Sequence, residues 1–103
     1  MSEPKVSAGH PRKEKGRKRE LRARKMLEAC GFMVVRAAGS HGLFDLVAVS
    51  SKHIKLIQVK TNRKPPPAEM EELRAFRAPR CCATKEVWTF YDGTKEPFIE
   101  EIG

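Results

Sequence analysis

The stretch IKLIQVKTN, residues 54–62, constrains the fold of this chain more than any other. Ile54, Leu56, Ile57 and Val59 give it the apolar, β-branched character of a buried strand. Gln58 and Lys60 interrupt that run two residues apart. Side chains alternate across a strand, so both fall on one face with Ile54 and Leu56, while Ile57 and Val59 face the other way. An amide and an ammonium group buried without partners cost several kcal/mol each. The surrounding fold must therefore bring polar groups to that face.

The preceding segment LFDLVAVS (43–50) is apolar on both faces apart from Asp45 and reads as an interior strand. Ser51-Lys52 fits a two-residue hairpin loop, which sets Asp45 directly opposite Gln58 with Cβ atoms roughly 5 Å apart. Lys60 projects one pair further along the same face. A slip of one residue would move Asp45 to the other face, so the register is a strict condition.

A helical pattern runs from about residue 14 to Cys30, with Ala23, Met26, Leu27 and Cys30 at i, i+3, i+4, i+7 spacing and Gly31 as its stop. At about 100° per residue, Glu20 lies about 20° around the helix from Leu27, on the stripe that faces the sheet. FMVVRAAG (32–39) is a short β-rich segment that leads into a flexible loop, AAGSHG (37–42). Pro65-Pro66-Pro67 imposes an extended break. A short helix starts near Ala68, with Glu69, Glu71 and Glu72 in its first turn, Met70, Leu73 and Phe76 on its inner edge and Pro79 as its end. EVWTFY (86–91) reads as a strand and PFIEEI (97–102) as a weak edge strand. The order α-β-β-β-α-β-β gives an α/β fold, a central mixed β-sheet flanked by helices, with a three-strand meander at its heart.

The net charge of +8 on 103 residues is concentrated in residues 1–25, which hold ten Lys/Arg against three acids. The other 78 residues are nearly neutral, with eleven bases and ten acids. A basic arm on a neutral body suits a polyanion, most simply nucleic acid. Residues 1–13 carry Pro4, Gly9 and Pro11 without an apolar period and are expected to be a disordered arm, with one domain over 14–103. Cys30, Cys81 and Cys82 have no zinc-ligand spacing and no even disulfide framework, which points to a reducing interior. No apolar run is long enough to span a membrane and no signal peptide is evident, so a cytoplasmic protein is expected.

Glu20, Asp45, Gln58 and Lys60 thus converge from one helix and two adjacent strands. Each has an ordinary structural use by itself: Glu20 exposed on a charged helix, Asp45 paired with Arg36, Gln58 bonded to its neighbours, Lys60 reaching off a strand end. Together they suit one chemistry. A hard cation, Mg²⁺ or Mn²⁺, takes carboxylate and carbonyl oxygens, and a lysine beside it can orient water or offset charge on a phosphodiester.

In RELRARKMLEACGFMVVRAAGSHGLFDLVAV and KLIQVK the chain resembles the PD-(D/E)xK nuclease superfamily, and within it the archaeal-type Holliday junction resolvases that some phages also carry. The resemblance covers roughly residues 16–77 and rests on Gly16, Glu20, Gly31-Phe32, VVR (34–36), AGS (38–40), Asp45 and the Q-x-K triplet. It implies a restriction-endonuclease-like core, a homodimer placing two sites on a four-way junction, and Mg²⁺-dependent hydrolysis of phosphodiesters in two strands, with no small-molecule cofactor and with host cytoplasm as the setting if phage-encoded. It also implies roles. Asp45 is the main metal ligand, Gln58 takes the second acidic ligand position through its side-chain carbonyl, and the Val59 backbone carbonyl is a third ligand. Lys60 is the catalytic lysine and Glu20 the helix carboxylate that holds metal-bound water. Arg36 and Ser40 match positions near the DNA; the Ser40–Phe44 loop is longer than the pattern and brings in His41, either a group that touches a phosphate or assists proton transfer or an ordinary solvated loop residue. Arg17, Lys18, Arg19 and Arg22 contact phosphates without reading bases. The sequence departs from the pattern at Phe44 (for proline), Gln58 (for an acid) and Leu21 (for arginine). Other readings are a related nuclease acting on ordinary duplex and a non-catalytic DNA-binding protein.

Overall fold

The structure, a computed structural model, describes residues 11–37 and 43–103, with side chains from Lys15 onward. Helix α1 (Pro11–Ala29) leads into β1 (Met33–Arg36), β2 (Leu46–Val49) and β3 (Ile54–Thr61), then α2 (Pro67–Ala75), β4 (Ala83–Phe90) and β5 (Phe98–Ile102). The five strands form one sheet in the order β1-β2-β3-β4-β5. All pairs are antiparallel except β3–β4, which is parallel. The order α-β-β-β-α-β-β and the mixed sheet agree with the expectation. The centre of the sheet is β3, however, and the β1-β2-β3 meander forms one half of it.

Helix α1 starts at Pro11, where a proline loses no hydrogen bond because the first N–H groups of a helix are unpaired anyway. Three residues of the expected arm are therefore helical, and residues 1–10 lie outside the described residues. The helix stops as the sequence indicates. Gly31 takes φ 94°, Phe32 N–H donates to the Leu27 carbonyl at 3.1 Å, and Gly31 N–H donates to the Glu28 carbonyl at 3.0 Å. A left-handed residue with these two bonds closes the last carbonyls of the helix.

The β2–β3 hairpin has the register that sets the site. Leu46 pairs with Ile57 and Val49 with Ile54, as the two-residue turn requires, but the Asp45 N–H also donates to the Ile57 carbonyl at 2.8 Å, so the ladder bulges at Asp45 and the expected Asp45–Gln58 pair is not part of it. Ser51-Lys52 is not a favoured turn pair, but the Ser50 hydroxyl accepts from the N–H groups of Lys52 (3.3 Å) and His53 (3.0 Å). That side-chain bridge replaces the backbone freedom a glycine would have given.

The two faces of the sheet carry separate cores. On one, Ala23 and Leu27 of α1 pack against Leu46, Ala48, Ile57, Val59, Trp88 and Phe90. On the other, Leu73 of α2 packs with Phe44, Val87 and Ile102, and Met70 and Leu56 close around them. Trp88 and Phe90 are both buried under α1. Among the described residues no helix is long and apolar enough to cross a membrane.

Candidate functional site

Gln58 and Lys60 lie on one face of β3, and Asp45, the residue before β2, stands where the β2–β3 pairing stops, close enough to Lys60 and Glu69 for their charges to act on it. There the Asp45 N–H donates to the Ile57 carbonyl at 2.8 Å, although Ile57 is already paired with Leu46, which is a bulge. Beyond it the Asp45 side chain takes over the backbone's role, and its Oδ2 accepts the Val59 N–H at 2.8 Å. In a ladder a residue's N–H and C=O point to the same side. The Val59 carbonyl therefore also faces β2, past the point where β2 has strand left to pair with it. Among the described residues the second Asp45 oxygen receives no hydrogen bond.

This face is the one covered by α2, not by α1. Gln58 and Lys60 share a face with Leu56, whereas α1 packs on Ile57 and Val59. The expectation that α1 and the two strands offer all four groups over one surface is corrected in that respect. The α1 stripe faces the opposite side of the sheet, and Glu20 meets Asp45 from there, where the strands separate. The two carboxylates are close enough to interact. Burial, then the Asp45 charge, raises the Glu20 pKa above its ordinary value, while Arg36, whose Nε donates to Glu20 Oε1 at 3.2 Å, works against the rise. Arg36 thus pairs with Glu20 rather than with Asp45. Burial also pushes the Asp45 carboxyl up, against the Val59 N–H and the Lys60 ammonium, which favour its ionised form.

Sequence reasoning assigned Glu69 only to the helix dipole. The structure turns its carboxylate, in the first turn of α2, into the site. Glu69 Oε2 accepts from Gln58 Nε2 at 3.0 Å and Oε1 from Lys60 Nζ at 3.0 Å. A signal was present: helical spacing puts Glu69 one turn before Leu73, the residue that anchors α2 to this face. Gln58 is only 8 % exposed and its Oε1 has no hydrogen-bond partner among the described residues. Thr89, paired with Lys60 across β3–β4, likewise has a buried, unpartnered hydroxyl oxygen. Buried polar atoms without partners are rare, and an orphan oxygen at the mouth of a polar cluster is what a ligand site leaves.

The donor set fits a hard cation. Among the described residues no three His, Cys, Asp or Glu side chains stand together as a metal cluster. What the site offers is the Asp45 carboxylate, the Gln58 amide oxygen and the Val59 carbonyl, all oxygens, with Glu20 nearby. Gln58, a neutral amide, adds no negative charge to the set.

On the outer side of Glu20 lies a groove of about 340 Å³ lined by Arg17, Glu20, Leu21, Arg24, Arg36 and Leu46. Arg17, Lys18, Arg22 and Arg36 stand at the surface. Arg24, not singled out from the sequence, borders the same groove. Arg19 has a different use: its guanidinium pairs with Asp92 at 2.7 Å and stacks over the Phe90 ring at 5.7 Å. Ser40 and His41 lie outside the described residues.

Residues 11–76 match the sequence pattern of the family described as archaeal Holliday junction resolvase (Hjc). A comparison of structures finds Hjc of Archaeoglobus fulgidus, a Holliday junction resolvase from an archaeal hyperthermophile. It is 23 % identical, has a TM-score of 0.58, and 84 % of each chain is covered. At that identity the likeness speaks for the fold. Among curated proteins none matches this chain.

Proposed function

The chain belongs to the archaeal Holliday junction resolvase family, nucleases of branched DNA, and from that membership we propose that Asp45, Gln58, Val59, Lys60 and Glu20 form its hydrolytic centre. The observation that carries the reading is the cluster of Asp45, bound to the Val59 N–H, with Gln58 and Lys60 on the adjoining strand, the Gln58 amide oxygen being buried and without a partner among the described residues. Asp45, the Gln58 amide oxygen and the Val59 carbonyl would hold Mg²⁺, for which Mn²⁺ substitutes. When bound, the cation supplies Lewis-acid stabilisation of the phosphodiester and a more acidic water.

The chain's own residues do the rest. The Lys60 ammonium stands where charge builds on the scissile phosphate, and its donors orient the attacking water or offset that charge. Glu20 accepts a hydrogen bond from the same water, and Arg36 keeps its carboxylate turned inward. Arg17, Lys18, Arg22 and Arg36 hold backbone phosphates. These contacts carry no base information, so junction shape selects the substrate. Cutting two strands symmetrically needs two such centres, and the reading includes a homodimer.

A synthetic four-way junction and a linear duplex of the same sequence, each with Mg²⁺, test this. The junction is expected to be cut in two strands within one binding event and the duplex left intact. Asp45→Ala abolishes cleavage, by about 10³-fold or more, and keeps junction binding. Equal cutting of duplex points to a general nuclease. Binding without cleavage in Mg²⁺ or Mn²⁺ leaves a DNA-binding protein. Single nicks speak against the two-centre arrangement.

A further inference from the structure

Glu69 stands where a nuclease centre with a glutamine in an acid's place needs support. We infer that Glu69 is a positioning residue that fixes the Gln58 amide with its oxygen toward the cation site, and so replaces at one remove the negative charge that Gln58 lacks. The inference rests on the metal site proposed above.

A side-chain amide has a donor end and an acceptor end of nearly equal shape, and its neighbours decide which way it lies. An ionised carboxylate only accepts. Glu69 Oε2 therefore takes Gln58 Nε2, at 3.0 Å, and the opposite end must be Oε1. That oxygen is buried and has no partner among the described residues, and Asp45 lies close enough to Lys60 and Glu69, the groups that flank Gln58, for their charges to act on it. The bond to a carboxylate is charge-assisted and draws electron density toward the amide oxygen, which makes it a better ligand.

The second Glu69 oxygen has an equal effect. It accepts from Lys60 Nζ at 3.0 Å. Lys60 follows Gln58 on the same face, so an ammonium group without Glu69 has the Gln58 oxygen as a nearby acceptor. Glu69 holds that donor away. Losing Glu69 thus removes the amide's orientation and also lets a cation of the protein compete for the ligand oxygen.

The test is Mn²⁺ binding, read by electron paramagnetic resonance of the free ion, on the full chain without DNA. Thermal unfolding of each variant confirms the fold. Glu69→Gln offers Gln58 either a donor or an acceptor and no longer selects one orientation. It is expected to weaken Mn²⁺ roughly tenfold, as loss of a partner behind a metal ligand commonly does. Gln58→Glu with Glu69→Gln reverses the hydrogen bond, since the amide introduced on α2 now donates and both side-chain oxygens on β3 accept. This exchange restores binding to the wild-type level or above. In a Gln58→Ala background, Glu69→Gln adds no further loss. Wild-type affinity in Glu69→Gln, or a double exchange no better than the single one, overturns the role of Glu69. If Asp45→Ala leaves Mn²⁺ binding unchanged in the otherwise native chain, the metal site itself falls, and the inference with it. Binding that depends on Asp45 but not on Glu69 sinks the inference alone.

Discussion

Asp45 is placed where its charge is costly to the fold. Burial raises its pKa, so the folded chain keeps a proton on it at a pH where the unfolded chain has released it. A carboxyl with a raised folded value contributes most below the ordinary carboxylate range, and that contribution is lost as pH rises through the folded value. Asp45→Asn retains an oxygen for the Val59 N–H and removes the charge. Without divalent metal it is expected to unfold a few degrees above the native chain at pH 7. The advantage should vanish near pH 3, where both side chains are neutral. Thermal unfolding in a chelator at the two pH values measures this. A variant that is stabler at neutral pH yet inactive shows a residue kept for chemistry at the expense of the fold.

Helix α2 is nine residues long and begins on three prolines without a side-chain cap, so its stability comes from outside it. Leu73 anchors its middle. Its end is held by Lys85 of β4, whose buried ammonium donates to the carbonyls of Leu73, Arg74 and Phe76, each at 2.7 Å. Burial lowers the Lys85 pKa, but the three carbonyls and the negative end of the helix dipole keep the ammonium in place. Lys85→Met preserves most of the stem and leaves those carbonyls without a donor. It should cost about 2–3 kcal/mol in denaturant unfolding. It should also speed amide hydrogen exchange across residues 67–75 more than across α1. Because α2 carries Glu69, any loosening reaches Gln58 and Lys60 through their shared carboxylate.

At the scale of the whole molecule, the positive charge is divided between binding and assembly. Lys15 and Arg19 of α1 both pair with Asp92, which also accepts from Asn62 Nδ2 and donates its N–H to Asn62 Oδ1. Asn62 itself sits at φ 64°, a conformation asparagine tolerates better than most residues. This latch ties the first half of α1 to the ends of β3 and β4. Arg17 and Arg22 stand at the surface and are not part of it. Arg17→Ala and Arg22→Ala are expected to weaken junction binding, and each should reduce the slope of log affinity against log salt by about one. Arg19→Ala should lower the melting temperature with a smaller effect on that slope. Junction-binding titrations across salt concentrations, beside melting curves, separate the two kinds of arginine.

The sequence by itself determined what depends on neighbours along the chain. Alternation put Gln58 with Lys60, and the two-residue turn at Ser51-Lys52 set the β2–β3 register as far as Leu46 and Ile57, while the bulge that follows at Asp45 was not legible. Helical period put Glu20 on the buried stripe, and Gly31 ended α1. These follow from backbone geometry and need no knowledge of distant residues. Only the tertiary structure decided which helix covers which face. The parallel β3–β4 pair requires a crossover, and α2 is that crossover, packed on the face of Gln58 and Lys60 while α1 packs on the other. That choice brings Glu69 into the site, sends Glu20 to Asp45 from the opposite side of the sheet, and turns Arg19 to Asp92. The sequence holds all of these residues, but the charge each one meets belongs to residues far along the chain, and only packing brings them together.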